Sequence, residues 1–164
     1  MTNELITVLA NLALTLSFIV ALIFGIAQVR AAARDRRERL TLETVRSFQT
    51  REFSELMVHI STHDMPATYE AWQALPASDK TVYMQFAQEM ESLGILVAER
   101  LIDIGLVEKT LGSFVITSWE KYKPAFSDIR VKISDPYLGE YFQWLAEQIG
   151  ELMRKKPRKP FYET

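Results

Sequence analysis

Three side chains that can bind metal are spaced four residues apart in a stretch of good helix formers: Glu55, His59 and His63. Because residues four apart lie on the same face of a helix, the two imidazoles and the carboxylate would point in one direction. A catalytic zinc ion uses three ligands of these types and keeps one position open for water. The chain has no HExxH sequence, and the simpler interpretation is a solvated helix end. A metal-dependent enzyme is therefore retained only as an alternative.

Carboxylates are the second group with potential chemistry. Six of them fall in the central part of the chain: Glu89, Glu91, Glu99, Asp103, Glu108 and Glu120. Acid–base catalysis needs a carboxylate held in a dry cleft beside a partner, whereas charged positions on a helix usually face solvent. We interpret Arg100 with Asp103, and Lys121 with Glu120, as surface pairs. No P-loop, GxGxxG or GxSxG sequence is present, so the sequence indicates no catalytic residue, no cofactor and no small-molecule substrate.

The longest apolar segment runs from Leu5 to Val29 and holds 25 residues without Asp, Glu, Lys or Arg. A helix of that length extends roughly 37 Å, more than the bilayer hydrocarbon core of about 30 Å. A signal peptide would have a basic leader and a shorter apolar core, whereas the leader here has Glu4 as its only charged residue. We therefore predict an uncleaved transmembrane helix, with a signal peptide and a buried core helix as alternatives.

Basic residues are concentrated immediately after this segment and are absent before it. They are Arg30, Arg34, Arg36, Arg37 and Arg39. Because the side of a span richer in Lys and Arg stays in the cytoplasm, we predict an outward N-terminus and a cytoplasmic C-terminal part. The absence of Cys agrees with a reducing compartment and rules out disulfides and thiolate ligands.

Small residues recur every fourth position along the predicted membrane helix. The stripe consists of Ala13, Ser17, Ala21 and Gly25. Small residues let two helices approach closely in lipid, and the amide of Asn11 favours a polar partner there. The stripe therefore predicts association with a second copy or with a polytopic neighbour. The alternative is that it reflects only the usual composition of such helices.

Charge is distributed unevenly along the chain. The residues from 40 to 153 include 17 acidic and 9 basic side chains, and they are followed by a basic tail: Arg154, Lys155, Lys156, Arg158 and Lys159. A nucleic-acid-binding domain needs a cationic surface, so the acidic central part argues against nucleic acid as a partner. The arginine cluster and the tail suit an anionic lipid surface, although the tail charges alternatively serve only to keep the end soluble.

The first helices are predicted from composition and from proline. Good helix formers continue without Pro or Gly to about His63, so the membrane helix is expected to extend as a stalk, with a break near Gln49–Arg51. A short helix around Ala67–Leu75 should end at Pro76.

The clearest soluble helix is predicted to begin with Ser78 as its N-cap and to end at Gly105 in a left-handed cap. Its apolar positions are spaced three or four apart: Val82, Phe86, Met90, Leu93, Val97, Leu101 and Ile104. A second apolar repeat follows, with a kink or restart at Pro124. A last amphipathic helix is predicted to start at Asp135–Pro136.

The fold is therefore predicted to be all-α, because no stretch alternates with a period of two. We expect a transmembrane anchor over 1–29, a basic collar and helical stalk over 30–63, a small helical bundle over 64–153, and a basic disordered tail over 154–164. Aromatic residues, including Trp119 and Phe142, should supply the bundle core.

Three stretches resemble a bacterial family known as a domain of unknown function: Met84–Val107, Leu111–Arg130 and Asp135–Ala146. That family similarly has an acidic and apolar helix before a GLID-like turn, a tryptophan before a helix interrupted by proline, and an aromatic-rich last helix. The turn here, from Leu101 to Leu106, has a shuffled order. The resemblance implies a short protein with one N-terminal membrane helix and a cytoplasmic helical domain, and it implies no activity or cofactor.

We interpret the chain as a non-enzymatic interaction or regulatory module, attached to the membrane and binding a protein partner or a second copy. The first alternative is an accessory subunit that docks on a larger membrane complex through its transmembrane helix. The second is the metal-dependent enzyme using Glu55, His59 and His63.

Overall fold

The structure, a computed structural model, describes residues 2–159 and 161–163. Its helices are α1 (Thr2–Ser47), α2 (Arg51–Thr62), α3 (Tyr69–Ala74), α4 (Ala77–Ala98), α5 (Ile104–Ile133) and α6 (Glu140–Lys155), followed by a 3-10 turn at Phe161–Glu163. No strand occurs in the described ranges. The predicted all-α fold, with a long apolar N-terminal helix followed by a helical bundle, is confirmed.

The chain forms two compact units that divide between Arg39 and Leu40. The first unit contains the apolar segment and the arginine cluster. The second begins within the segment predicted as a stalk, because Phe53, Leu56 and Ile60 are buried in the bundle core. Residues 40–63 are thus part of the bundle unit.

The break between α1 and α2 lies at the predicted place. α1 ends at Ser47, and the hydroxyl of Thr50 accepts a hydrogen bond from the Phe53 N–H (3.2 Å) as the N-cap of α2. The short helix before Pro76 is also present, and Thr68 caps it in the same way through Ala71. Local sequence was sufficient in both places because the capping side chain is three residues from the group that it binds.

The end of α4 differs from the prediction. The helix stops at Ala98, Arg100 takes the left-handed conformation (φ 57°), and the buried Ile102 enters the core. Burial of Ile102 offsets the cost of that backbone conformation, about 1–2 kcal/mol in a residue other than glycine. Gly105 does not close α4; it lies in the first turn of α5, whose N-cap is Asp103.

Two predicted helix starts are also wrong, and the restart predicted as one possibility at Pro124 does not occur. α4 begins at Ala77 with Pro76 as its N-cap, so Ser78 lies inside the helix. α6 begins at Glu140 rather than at Asp135–Pro136. α5 continues through Pro124 without a restart, and Pro124 and Glu120, whose carbonyl loses its helical donor, are both exposed residues.

Aromatic rings fill the centre of the second unit, where α6 packs against α4 and α5. The ring of Phe142 on α6 lies 5.2 Å from Trp119, 5.6 Å from Tyr122 and 6.0 Å from Phe86, each in edge-to-face geometry. Such pairs contribute about 0.5–1.5 kcal/mol each beyond their burial. The predicted core role of Trp119 is confirmed, whereas Trp144 is half-buried at the edge of the core.

Candidate functional site

Two of the three candidate metal ligands, Glu55 and His59, lie one turn apart on α2, whereas His63 follows the helix as its C-cap with an extended backbone. The rings of His59 and His63 stack with centroids 4.2 Å apart, and Nδ1 of His63 lies 3.1 Å from the His59 carbonyl oxygen. The Glu55 carboxylate accepts a hydrogen bond from Arg51 at 2.8 Å. Within residues 2–159 and 161–163, no three His, Cys, Asp or Glu side chains are placed to hold a metal ion. The arrangement is therefore an ion pair beside two stacked rings.

The six central carboxylates do not converge on a cleft. Asp103 caps α5 by accepting from the Leu106 N–H at 3.1 Å. Glu108 is 6% exposed and pairs with Arg158 at 3.0 Å. Glu99 is exposed at the end of α4, and Glu120 is exposed on α5. Of these four carboxylates, Asp103 caps a helix, Glu108 forms an ion pair, and Glu99 and Glu120 face solvent.

Glu91 has a role that its sequence context did not indicate. From the middle of α4 its two oxygens accept hydrogen bonds from the backbone N–H groups of Tyr141 (3.2 Å) and Phe142 (2.8 Å). The first N–H groups of a helix have no partner within that helix, and a negative charge there also interacts favourably with the helix dipole. Glu91 therefore caps α6 from another helix and sets where α6 begins.

Lys121 caps the C-terminal end of a helix, as a donor of hydrogen bonds. Its ammonium group on α5 donates to the carbonyl oxygens of Ile60 (2.7 Å), Ser61 (3.0 Å) and His63 (3.3 Å) at the end of α2. The predicted surface pair with Glu120 is not what the structure shows. The C-terminal carbonyls of a helix lack partners within it and attract a cation.

Replacing Lys121 with methionine is expected to lower the free energy of unfolding by about 1–2 kcal/mol, since several hydrogen bonds to a charged group are lost. Urea unfolding followed by tryptophan fluorescence measures the change, because Trp72, Trp119 and Trp144 are the only tryptophans and all lie after residue 40. Lys123→Met, an exposed lysine on the same helix, is the control and should change the value by less than about 0.5 kcal/mol. Equal losses in the two variants would contradict the capping role.

Two more charged side chains on α5 hold distant backbone. Oδ2 of Asp128 accepts from the N–H of Tyr69 at the start of α3 (2.7 Å). Arg130 donates to the Leu138 carbonyl oxygen (2.8 Å) and to the Gln143 side chain (2.7 Å), and so ties the turn before α6 to α5. Sequence reasoning missed both residues because their partners are not at helical spacing.

The small-residue stripe of α1 is fully exposed. Each of Ala13, Ser17, Ala21 and Gly25 is accessible, and a Cβ added to Gly25 would meet nothing within 4 Å. A shallow groove on the helix surface is centred on Ala21, Gly25 and Val29. No described residue of the first unit covers this face.

The predicted membrane-surface residues differ in how far their charges are engaged. In the arginine cluster Arg34 pairs with Glu38 at 2.8 Å, Arg37 is half-buried, and Arg30, Arg36 and Arg39 are exposed. In the tail, Arg154 and Lys155 belong to the last turn of α6 and pair with Glu151, and Arg158 pairs with Glu108. Lys156 and Lys159 are exposed. The tail thus presents fewer uncommitted charges than its sequence indicated.

Two buried tyrosines donate hydrogen bonds to backbone carbonyls of other segments or helices. The Tyr122 hydroxyl donates to the Tyr83 carbonyl oxygen at 2.9 Å, and the Tyr83 hydroxyl donates to the Asp64 carbonyl oxygen at 3.1 Å. Burial raises the pKa of Tyr122 far above its usual range; burial, and then the charges of Asp79 and Asp64, raise the pKa of Tyr83. Both phenols are therefore held in the neutral form.

The free energy of unfolding is expected to decline as the pH rises beyond about 10. Because the folded pKa values lie above that of an unfolded tyrosine, the stabilisation is complete below about pH 10 and is lost as the unfolded chain releases protons that the folded unit retains. In Tyr122→Phe the decline should be shallower, with a loss of about 1 kcal/mol at neutral pH from the missing hydrogen bond. Urea unfolding at about pH 8 and about pH 10.5 tests this. Identical declines in the two proteins would contradict it.

Comparison with known families gives one match. A family model covers residues 15–149, which begin inside the apolar part of α1 and end in α6. No curated protein and no solved structure matches the chain. The match confirms the resemblance to a family of unknown function that the sequence indicated. Because it spans well over half of the 164 residues, the chain belongs to the family described as Domain of unknown function (DUF4760).

Proposed function

We propose that this protein is a single-pass membrane protein whose helical unit binds a protein partner at the cytoplasmic face of a bacterial inner membrane. The observation that carries the proposal is the surface of α1. Its apolar window is 0% buried, and the large side chains from Leu5 to Val29 are each 45–71% exposed. An apolar surface of this extent is far larger than soluble monomers expose, and a bilayer is the solvent that suits it.

The orientation is proposed from the arginine cluster, since five arginines follow the apolar segment and no basic residue precedes it. Extraction of membranes with alkaline carbonate should leave the full chain in the pellet. Alkaline phosphatase fused after Thr164 should be inactive, because that enzyme needs the oxidising periplasm to form its disulfides. A chain found wholly in the soluble fraction, or an active fusion, would overturn the proposal.

Partner binding is proposed to involve a protein surface and not a chemical step. Glu91 and Asp103 cap helices and Glu108 forms an ion pair, and in the described part of the chain Glu55, His59 and His63 are not placed to hold a metal ion. Crosslinking in intact membranes, followed by mass spectrometry, should recover a defined partner or a second copy. Zinc bound at about one equivalent, in a protein purified without added metal and lost in a His59→Ala, His63→Ala variant, would instead support the enzyme alternative.

The accessory-subunit hypothesis is the second candidate, favoured by the exposed groove around Gly25. The double variant Ser17→Ile, Gly25→Leu would block close packing of another helix on the small-residue stripe. Ala27→Leu is the matched control, because this residue lies about 200° from Gly25 around the helix. If the double variant loses an assembly in mild detergent and the control retains it, docking through the stripe is supported. Exchange of Leu5–Val29 for an unrelated membrane helix separates the candidates: capture through the helical unit should survive it, and capture through α1 should not.

A further inference from the structure

An apolar pocket of about 370 Å³ opens into the second unit between α3, α4 and α5. Its walls include Trp72 of α3, Tyr83 and Ala87 of α4, and Phe126 and Ile129 of α5. The volume lies within the range of about 300–1,000 Å³ that is typical of small-molecule sites, and such sites are lined mainly by apolar and aromatic side chains. Neither the family match nor the proposed function assigns a role to this pocket.

The lining carries no charge. No Asp, Glu, Lys, Arg or His is among the lining side chains of this pocket in the described part of the chain. The hydroxyls of Tyr83 and Tyr122 are already used in hydrogen bonds to backbone carbonyls. The remaining polar groups of the lining side chains are uncharged, namely the Tyr69 hydroxyl, the Trp72 indole N–H and the amides of Gln73 and Gln88. A charged ligand group would lose its hydration without gaining a partner of opposite charge. The pocket therefore suits an uncharged ligand.

The size of the pocket argues against a macromolecular occupant. A docked helix is about 10–12 Å wide and inserts side chains from several turns. At roughly 30 Å³ for each water-sized group, this pocket accepts about a dozen non-hydrogen atoms. The exposed large apolar side chains at its mouth are Met84 (53%) and Ile133 (46%), which are too few for the roughly 800 Å² per partner of a stable dimer.

We propose that this pocket binds an uncharged hydrocarbon chain of about a dozen non-hydrogen atoms. Met65 and Met84, which are flexible and polarizable, adapt the walls to a chain of no fixed shape. The preference for a hydrocarbon chain rests partly on the membrane attachment proposed above, because a bilayer concentrates such molecules. The ligand is either free in the membrane phase or is the acyl chain of a phospholipid.

The test uses the full chain in phospholipid nanodiscs and a photoreactive diazirine derivative of dodecanol, with labelled peptides identified by mass spectrometry. Peptides that carry residues 65–73, 83–88 and 122–133 should be labelled. Ala87→Phe fills the pocket and should reduce that labelling by on the order of tenfold. Ala98→Phe, a half-buried alanine of the same helix outside the pocket, should leave it unchanged.

A second variant keeps the test valid if Ala87→Phe fails to fold. Met84→Glu places a charge at the exposed mouth of the pocket. Because glutamate is a good helix former, this variant should fold, and because the charge disfavours a hydrocarbon chain, the pocket peptides should lose their labelling. A parallel sample with a phospholipid that carries the diazirine in its acyl chain identifies the source. Labelling of the pocket by either probe supports the proposal, and labelling by one alone names the source.

Failure of this proposal is distinguishable from failure of the membrane proposal. Peptides from Leu5–Val29 report whether α1 lies in lipid and should be labelled equally in every variant. If those peptides are labelled and the pocket peptides are not, the pocket binds no hydrocarbon chain. Pocket labelling that both Ala87→Phe and Met84→Glu leave intact would also overturn the proposal. If the pocket peptides are labelled and the α1 peptides are not, membrane insertion is overturned and binding at the pocket is still supported.

Discussion

Replacement of Gly94 with alanine is expected to lower the free energy of unfolding of the second unit by about 3 kcal/mol. Gly94 lies where α4 packs against the backbone of Tyr141 on α6. A Cβ at this position would lie 2.7 Å from the Tyr141 carbonyl carbon and 2.9 Å from its Cβ, and would also meet its carbonyl oxygen. Because the obstacle is backbone, no rotamer change relieves it, and the two helices must move apart. That separation would also loosen the contacts of Phe142 in the aromatic core.

Gly150→Ala on α6 is the matched control for this substitution. A Cβ at Gly150 meets nothing within 4 Å, so the change should raise the free energy of unfolding by about 0.5–1 kcal/mol through helix propensity alone. Urea unfolding of the full chain in nanodiscs, followed by tryptophan fluorescence, measures both variants on the second unit. A Gly94→Ala protein as stable as the parent would show that α4 and α6 do not approach as closely as described.

Removal of the Glu91 carboxylate should cost about 2–4 kcal/mol. Glu91→Ala leaves the N–H groups of Tyr141 and Phe142 without their acceptor, and hydrogen bonds to a charged group contribute about 1.5–3 kcal/mol each. Water reaches the half-exposed position of Glu91 and limits the loss below the sum of the two bonds. The first turn of α6 should fray, and hydrogen exchange at those two amides should accelerate along with the drop in stability.

Two variants separate capping from a general loss of charge. Glu91→Gln keeps one acceptor oxygen without the negative charge and should show about half the loss. Glu89→Ala removes a carboxylate two residues earlier on α4 that has no hydrogen bond or ion pair in the described part of the structure, and it should change stability by less than about 0.5 kcal/mol. Equal effects from Glu89→Ala and Glu91→Ala would show that Glu91 is not a cap.

Several features of the fold were determined by short stretches of sequence. The apolar segment from Leu5 to Val29, the break before Arg51 and the short helix before Pro76 each depend on residues within a few positions of one another. Spacing of three and four residues also identified Phe86, Met90, Leu93 and Val97 as one buried face of α4. A periodic pattern along a helix records which side is buried, and this information needs no knowledge of the partner helix.

The candidate metal site shows the limit of such reasoning. Spacing placed Glu55 and His59 one turn apart on α2, because four residues make about one helical turn, but the helix ends before it reaches His63. Spacing did not determine what the side chains contact: Glu55 turns to Arg51, and the two rings stack. These contacts depend on which of several nearby partners each side chain binds, and the sequence alone does not determine that.

The end of α4, the start of α6 and the pocket were decided by the tertiary structure. Gly105 and Asp135–Pro136 were reasonable local signals for an end and a start, yet burial of Ile102 ends α4 earlier and Glu91, fifty residues away in sequence, sets the start of α6. The pocket between α3, α4 and α5 likewise exists only once three distant segments meet. Capping and cavity formation depend on groups brought together through space, so a pattern read along one segment cannot contain them.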